Sequence, residues 1–155
     1  MIKNFRLILV TDETMILEDE NDIGLSMASG IISAYLLENN INVMVTDTNN
    51  SSANYKYTES ELKKFSCIYD KDRVLSYIST GNDHILDEVA AMFIDNSCLN
   101  DDCYGISIGA DFSMMQIHLS MVIATYLKKL TKNPIIIGGN NITYLYIFKG
   151  FYQEL

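Results

Sequence analysis

Apolar residues fall in short continuous runs separated by longer stretches with helical spacing. Phe5 to Val10 (FRLILV) is the first run, closed by Asp12 and Glu13. A run this apolar suits a strand covered on both faces, as in parallel sheets. Ile23 to Glu38 then reads as a helix, with Ile23, Met27, Ile31, Ala34 and Tyr35 at helical spacing and Asn21 or Asp22 able to cap its start. Asn42 to Thr46 (NVMVT) is a second short strand ending at Asp47. Tyr55 to Asp102 is less regular. Thr58-Glu59-Ser60-Glu61 has the form of a capping box, and Asp72 to Ser79 and Asp83 to Ile94 read as further helical pieces parted by Gly81-Asn82.

Tyr104 to Gly109 (YGISIG) is the third strand. Ser113 to Leu130 is the strongest helix, with a stripe of Met114, Ile117, Met121, Ala124 and Leu127 widened by Leu119, Val122, Ile123 and Tyr126. So apolar a helix packs against a sheet. Lys128 and Lys129 sit at its C-terminal end, where cations favour the dipole. Ile135 to Ile137 is the fourth strand, followed at once by Gly138-Gly139-Asn140-Asn141, and Ile142 to Leu155 reads as the start of another helix. Strands alternating with helices predict a doubly wound parallel α/β sheet with right-handed crossovers, flavodoxin-like or Rossmann-like, in strand order 2-1-3-4. At 155 residues, 48% of them hydrophobic, the whole chain is expected to be one domain.

Charge narrows the function. Twenty acidic against eleven basic residues give a net charge of −9. That field repels phosphate backbones and anionic membranes, so nucleic acid is not an expected partner. No stretch reaches the ~18 apolar residues of a membrane span. The N-terminus lacks the h-region and cleavage site of a signal peptide, and the three cysteines are too few for a secreted disulfide scaffold, so the expected location is cytoplasmic.

Candidate chemistry lies in the loops after the strands, because open α/β sheets bind ligands beyond their carboxyl ends. The first loop holds Asp12, Glu13, Asp19, Asn21 and Gly24; the third holds Gly109, Ala110 and Asp111; the fourth holds Gly138, Gly139, Asn140, Asn141 and Thr143. Chain reversal alone needs such turn residues, but three such loops together favour a binding crevice. Gly105-x-x-x-Gly109 is no phosphate fingerprint, because Gly105 lies inside the strand. His84 and His118 have no second ligand at metal spacing, and Cys67, Cys98 and Cys103 do not make a ligand set, Cys98 and Cys103 being expected in a loop. No nucleophile–base pair is visible. Asp12, Glu13 and Asp47 invite comparison with phosphate-receiver domains, but no suitable Lys follows a later strand.

The order of these segments resembles the cobalamin-binding fold. Its first-loop pattern Asp-x-His-x-x-Gly aligns with Asp19-Glu20-Asn21-Asp22-Ile23-Gly24, with Asn21 in the place of the histidine. Ile32 to Leu37 and Val43 to Asp47 resemble its following helix and strand, Tyr104 to Ile108 its Gly-Ile-Ser segment, and Pro134 to Thr143 its Pro-Ile-Val-Gly-Gly segment with a following Thr. The form without the histidine is similar to the N-terminal domain of radical SAM proteins, including peptide-modifying ones. The resemblance implies an accessory domain that contributes cofactor or substrate binding and no catalysis of its own. It implies cobalamin in the parent protein without an axial histidine, since an amide is a poor ligand for cobalt. S-adenosylmethionine and a four-iron, four-sulfur cluster would belong to a downstream catalytic domain carrying Cys-x-x-x-Cys-x-x-Cys, the expected partner, with a peptide or small molecule as substrate. The implied cofactor-binding residues are Asp19, Asn21, Gly24, Ser107, Gly109, Gly138, Gly139 and Thr143. The family's fifth strand would follow Leu155, so the chain is expected to be a fragment that retains little cobalamin alone. The alternative is a stand-alone Rossmann-like regulatory or interaction module without cofactor.

Overall fold

Four short strands pair edge to edge, all parallel, in the order β2-β1-β3-β4. The computed structural model describes residues 2–10, 27–48, 55–94, 99–108 and 114–139. Within these, β1 (Asn4–Leu9) leads to helix α1 (Met27–Glu38) and β2 (Asn42–Asp47). A long crossover follows: α2 (Glu59–Phe65), a 3-10 turn (Ser66–Tyr69), α3 (Lys71–Thr80) and α4 (His84–Ala91). Then come β3 (Cys103–Ser107), α5 (Met114–Leu130) and β4 (Ile135–Gly138). The α/β architecture and strand order are those the alternation predicts.

Local signals set the helix boundaries. Thr58 and Glu61 form the capping box at α2, each satisfying the other's backbone N–H. Asp70 caps α3 by accepting from the Arg73 amide, and Gly81 ends that helix in the left-handed region at φ 70°. Asp83 caps α4 by accepting from the amides of Ile85 and Leu86. Lys129, at the end of α5, donates to the Gly81 carbonyl and pairs with Asp87 at 2.6 Å, fastening α5 to α3 and α4.

The two faces of the sheet differ. Side chains alternate along a strand, so Arg6, Ile8, Tyr104, Ile106, Ile135 and Ile137 share one face. That face meets α2 to α5 in the main core, where Phe65, Ile68, Val74, Tyr77, Leu86, Val89, Leu119, Val122, Ile123 and Leu127 are buried. The second face carries Phe5, Leu7, Gly105 and Ser107; a side chain on Gly105 would strike the Phe5 ring, which lies across it. Of the described helices, α1 belongs to this second face and packs on β2.

Two helices present other faces than their periodicity suggests. The buried side of α5 is centred on Met115, Leu119, Val122 and Ile123, and Met114 is exposed, so the packed stripe lies further round than the one through Met114 and Met121. In α1 none of the residues is buried. Ser29, Ser33 and Leu36 are half-buried, while Met27, Ile31 and Tyr35 point outward. Cys103 is not in a loop: it opens β3, is buried, and its thiol pKa is pushed up by that burial.

A charged pair sits inside the main face. Arg6 Nε lies 2.6 Å from Asp101 Oδ2, with both side chains less than a tenth exposed, and Arg6 also donates to Thr46 Oγ1 at 3.1 Å. The pair joins β1 to β2 and to the segment entering β3. Removing one partner strands a buried charge, which costs about 3–5 kcal/mol. Asp101→Ala is therefore expected to lower the unfolding free energy by about that amount in urea titration, and Arg6→Met/Asp101→Leu together by much less.

A second pair gives a pH dependence. Arg73 donates two hydrogen bonds to Asp83, at 2.6 and 2.9 Å, and this fork holds the Asp83 carboxyl below its ordinary pKa. A depressed carboxylate stabilises the fold above its unfolded pKa, about 3.9, and loses that contribution as pH falls through the folded value. Melting temperature is expected to drop below about pH 4, and Asp83→Asn, less stable at neutral pH, is expected to show a shallower acid limb.

Candidate functional site

The topology places the crevice. From β1 the chain steps to β2 on one side and later to β3 on the other, so the switch point lies between the carboxyl ends of β1 and β3. Val10 and Ile108 follow those ends, and the Val10 amide donates to the Ser107 carbonyl at 3.3 Å. Two buried polar side chains hold this floor. Thr48, just past β2, donates its hydroxyl to the Leu9 carbonyl at 2.7 Å. Gln116, in the first turn of α5, donates its amide to the Val10 carbonyl at 3.3 Å. Both donate to carbonyls at the end of β1.

Sequence reasoning missed Thr48 and Gln116. Thr48 follows an acidic strand end, and Gln116 sits between Met115 and Ile117, where a polar residue ordinarily marks the solvent side. The signal available was that interruption of an apolar stripe: Gln116 and Ser120, one turn apart, are both buried on the packed side. Ser120 satisfies itself locally by donating to the Gln116 carbonyl at 2.6 Å.

Of the eight residues implied as cofactor-binding, Ser107, Gly138 and Gly139 lie within the described structure. Asp19, Asn21, Gly24, Gly109 and Thr143 lie outside the described residues. Ser107 and Gly138 are register partners at the carboxyl edge of the second face. A Cβ placed on Gly138 would meet nothing within 4 Å, so there is room beside Ser107 for a ligand to approach the backbone. Gly139 has another role. Its φ is +131°, and a Cβ there would run into the Ile108 carbonyl oxygen. The Ile108 amide donates to the Gly138 carbonyl at 2.9 Å, which draws β4 and β3 together at the same point. Gly139 is a glycine because the chain closes on itself there. The Gly138 backbone is thus left uncovered beside the Ser107 hydroxyl.

The other candidate groups have structural partners. His118 Nδ1 lies 2.7 Å from the Ile68 carbonyl, which can only accept, so that nitrogen carries the proton. Cys67 Sγ accepts from Arg73 Nη1 at 3.0 Å. Among the described residues no group of three His, Cys, Asp or Glu converges as a metal site. Hollows also open at the amino edge of the sheet, one lined by Lys128 and Thr131 to Ile135, another by Ile2, Lys3 and Asn39 to Asn42. They lie at the end opposite the switch point, where α/β sheets do not place their ligands. No described helix is long and apolar enough to cross a membrane.

Comparison with known proteins finds no matching family model, no matching curated protein and no matching solved structure.

The Gly138–Gly139 pair separates cleanly by mutation. Gly139→Ala is expected to lower stability by about 1–3 kcal/mol, because it forces a side chain into a left-handed position against a carbonyl. Gly138→Ala, in open space with ordinary strand geometry, is expected to stay within about 0.5 kcal/mol of wild type in the same denaturation measurement.

Proposed function

We propose that this chain is a Rossmann-like binding domain whose ligand enters at the carboxyl ends of β1 and β3. Its specific form is the cobalamin-binding-like accessory domain of a radical SAM enzyme, contributing cofactor or substrate binding. The observation that carries the reading is the all-parallel sheet in order 2-1-3-4, with Ser107 and the uncovered Gly138 side by side at its carboxyl edge. The cobalamin-specific part is supported by the five segments quoted above, in their order along the chain. With Asn21 where the pattern has histidine, the corrinoid binds without a protein imidazole on cobalt. The binding energy then comes from contacts to the ring and tail, because the net charge of −9 disfavours a phosphate-bearing ligand.

The complete polypeptide carrying this chain provides the test. Its reading frame is expected to continue into a Cys-x-x-x-Cys-x-x-Cys segment. Mixed with hydroxocobalamin and passed through gel filtration, that polypeptide is expected to co-elute with visible corrinoid absorbance. Gly138→Leu, which fills the space beside Ser107, is expected to weaken retention at least ~10-fold with an unchanged circular dichroism spectrum. Retention undiminished in Gly138→Leu would remove the crevice from the reading, and a reading frame without the cysteine motif would remove the radical SAM assignment.

A further inference from the structure

We infer that a hollow beside the start of α2 is a second binding site, for the alkylated ammonium head of a small organic cation. It shares no residue with the crevice at the switch point and is independent of what binds there. Tyr55, Tyr57 and Glu61, from the segment that enters α2, and Met92, the residue that ends α4, line about 230 Å³ of space. The two tyrosine rings lie 5.0 Å apart between centroids with their planes at 69°, so they form a corner and not a stack. The volume is below the roughly 300–1,000 Å³ of a site for a whole drug-sized ligand, which suits a head group.

The walls are held in place before any ligand arrives. Tyr57 and Met92 pack against the main core, which fixes the inner side. Tyr55 is 52% exposed, yet its hydroxyl donates to Glu61 Oε1 at 2.8 Å, which holds the outer ring. Glu61 Oε2 in turn accepts from the amide and the hydroxyl of Thr58, at 2.8 and 2.7 Å. An aromatic ring already fixed through its hydroxyl loses little further freedom on binding.

Charge selects the class of ligand. Among the described residues, the hydrogen bonds that the Glu61 carboxylate accepts all come from neutral groups, and it has no salt-bridge partner. The bonds from Thr58 hold its carboxyl below the ordinary pKa, so it is ionised at neutral pH. Lys64, the cation whose field reaches it, is itself paired with Glu88 at 2.8 Å. A carboxylate left uncompensated beside two aromatic faces attracts a cation, and quaternary ammonium groups are the cations such faces recognise best. The net charge of −9 works in the same direction, drawing cations and repelling anions.

Choline chloride titrated into the full 155-residue chain at constant ionic strength, followed by NMR of the Tyr55 and Tyr57 rings and the Met92 methyl, tests the inference. Saturable shifts at those three residues are expected, with a dissociation constant of about 1–10 mM. The uncharged isostere of choline, with a tert-butyl group in place of trimethylammonium, is expected to bind at least ~5-fold more weakly. Tyr55→Leu and Glu61→Gln are each expected to weaken choline at least ~3-fold. Both variants are expected to keep the wild-type circular dichroism spectrum and melting temperature, because Tyr55 is exposed and glutamine also completes a capping box. Absence of saturable shifts up to ~100 mM choline, equal binding of the uncharged isostere, or a dissociation constant that neither variant changes overturns the proposal.

Discussion

The parallel pairing of β1 on both of its edges is the constraint from which the rest of the architecture follows. A parallel partner cannot be reached by a hairpin, so each pairing demands a crossover long enough to hold a helix. Crossovers of one hand that run to opposite sides of β1 must lie on opposite faces of the sheet. The step to β2 carries α1 alone among the described helices. The return past β1 to β3 carries α2, α3 and α4, and the next step in the same direction adds α5. One face thus acquires a deep core, and the other is covered mainly where α1 crosses β2.

Placing β1 at the centre also determines where polar groups can be tolerated. A guanidinium on a central strand has no route to water, so Arg6 is kept by Asp101 and Thr46, which lie on the two segments flanking β1. At the other end, Thr48 and Gln116 donate to the carbonyls of Leu9 and Val10. The strand is fastened by an ion pair at its amino end and by neutral hydrogen bonds at its carboxyl end.

Much of this was legible from residues alone, for identifiable reasons. Strands buried on both faces must be continuously apolar, and Leu7 to Leu9 and Tyr104 to Ile106 read accordingly; Ile135 to Ile137 is equally apolar in sequence but, at the end of the described sheet, leaves Ile136 57% exposed. The helix starts at Thr58, Asp70 and Asp83 follow from side chains that accept backbone N–H groups, and all three boundaries lie where the sequence puts them to within a residue or two. Periodicity, however, finds a stripe without saying what the stripe faces. In α5 the stripe was broad enough that its centre shifted without changing the packing partner. In α1, Ser29 and Ser33 turn toward the sheet and the apolar ridge turns away, an arrangement no single-helix pattern distinguishes from its inverse. The candidate site was legible only as glycine and serine at strand ends. Gly138 and Gly139 are adjacent and identical in type, yet one leaves open space and the other closes the chain on itself, because only tertiary contact with Ile108 separates them.

Helix α1 turns Ser29, Ser33 and Leu36 toward the sheet and leaves Met27, Ile31 and Tyr35 to solvent, and none of its residues is buried. Single exposed apolar residues are ordinary on protein surfaces; a ridge of three beside an unblunted strand edge is not.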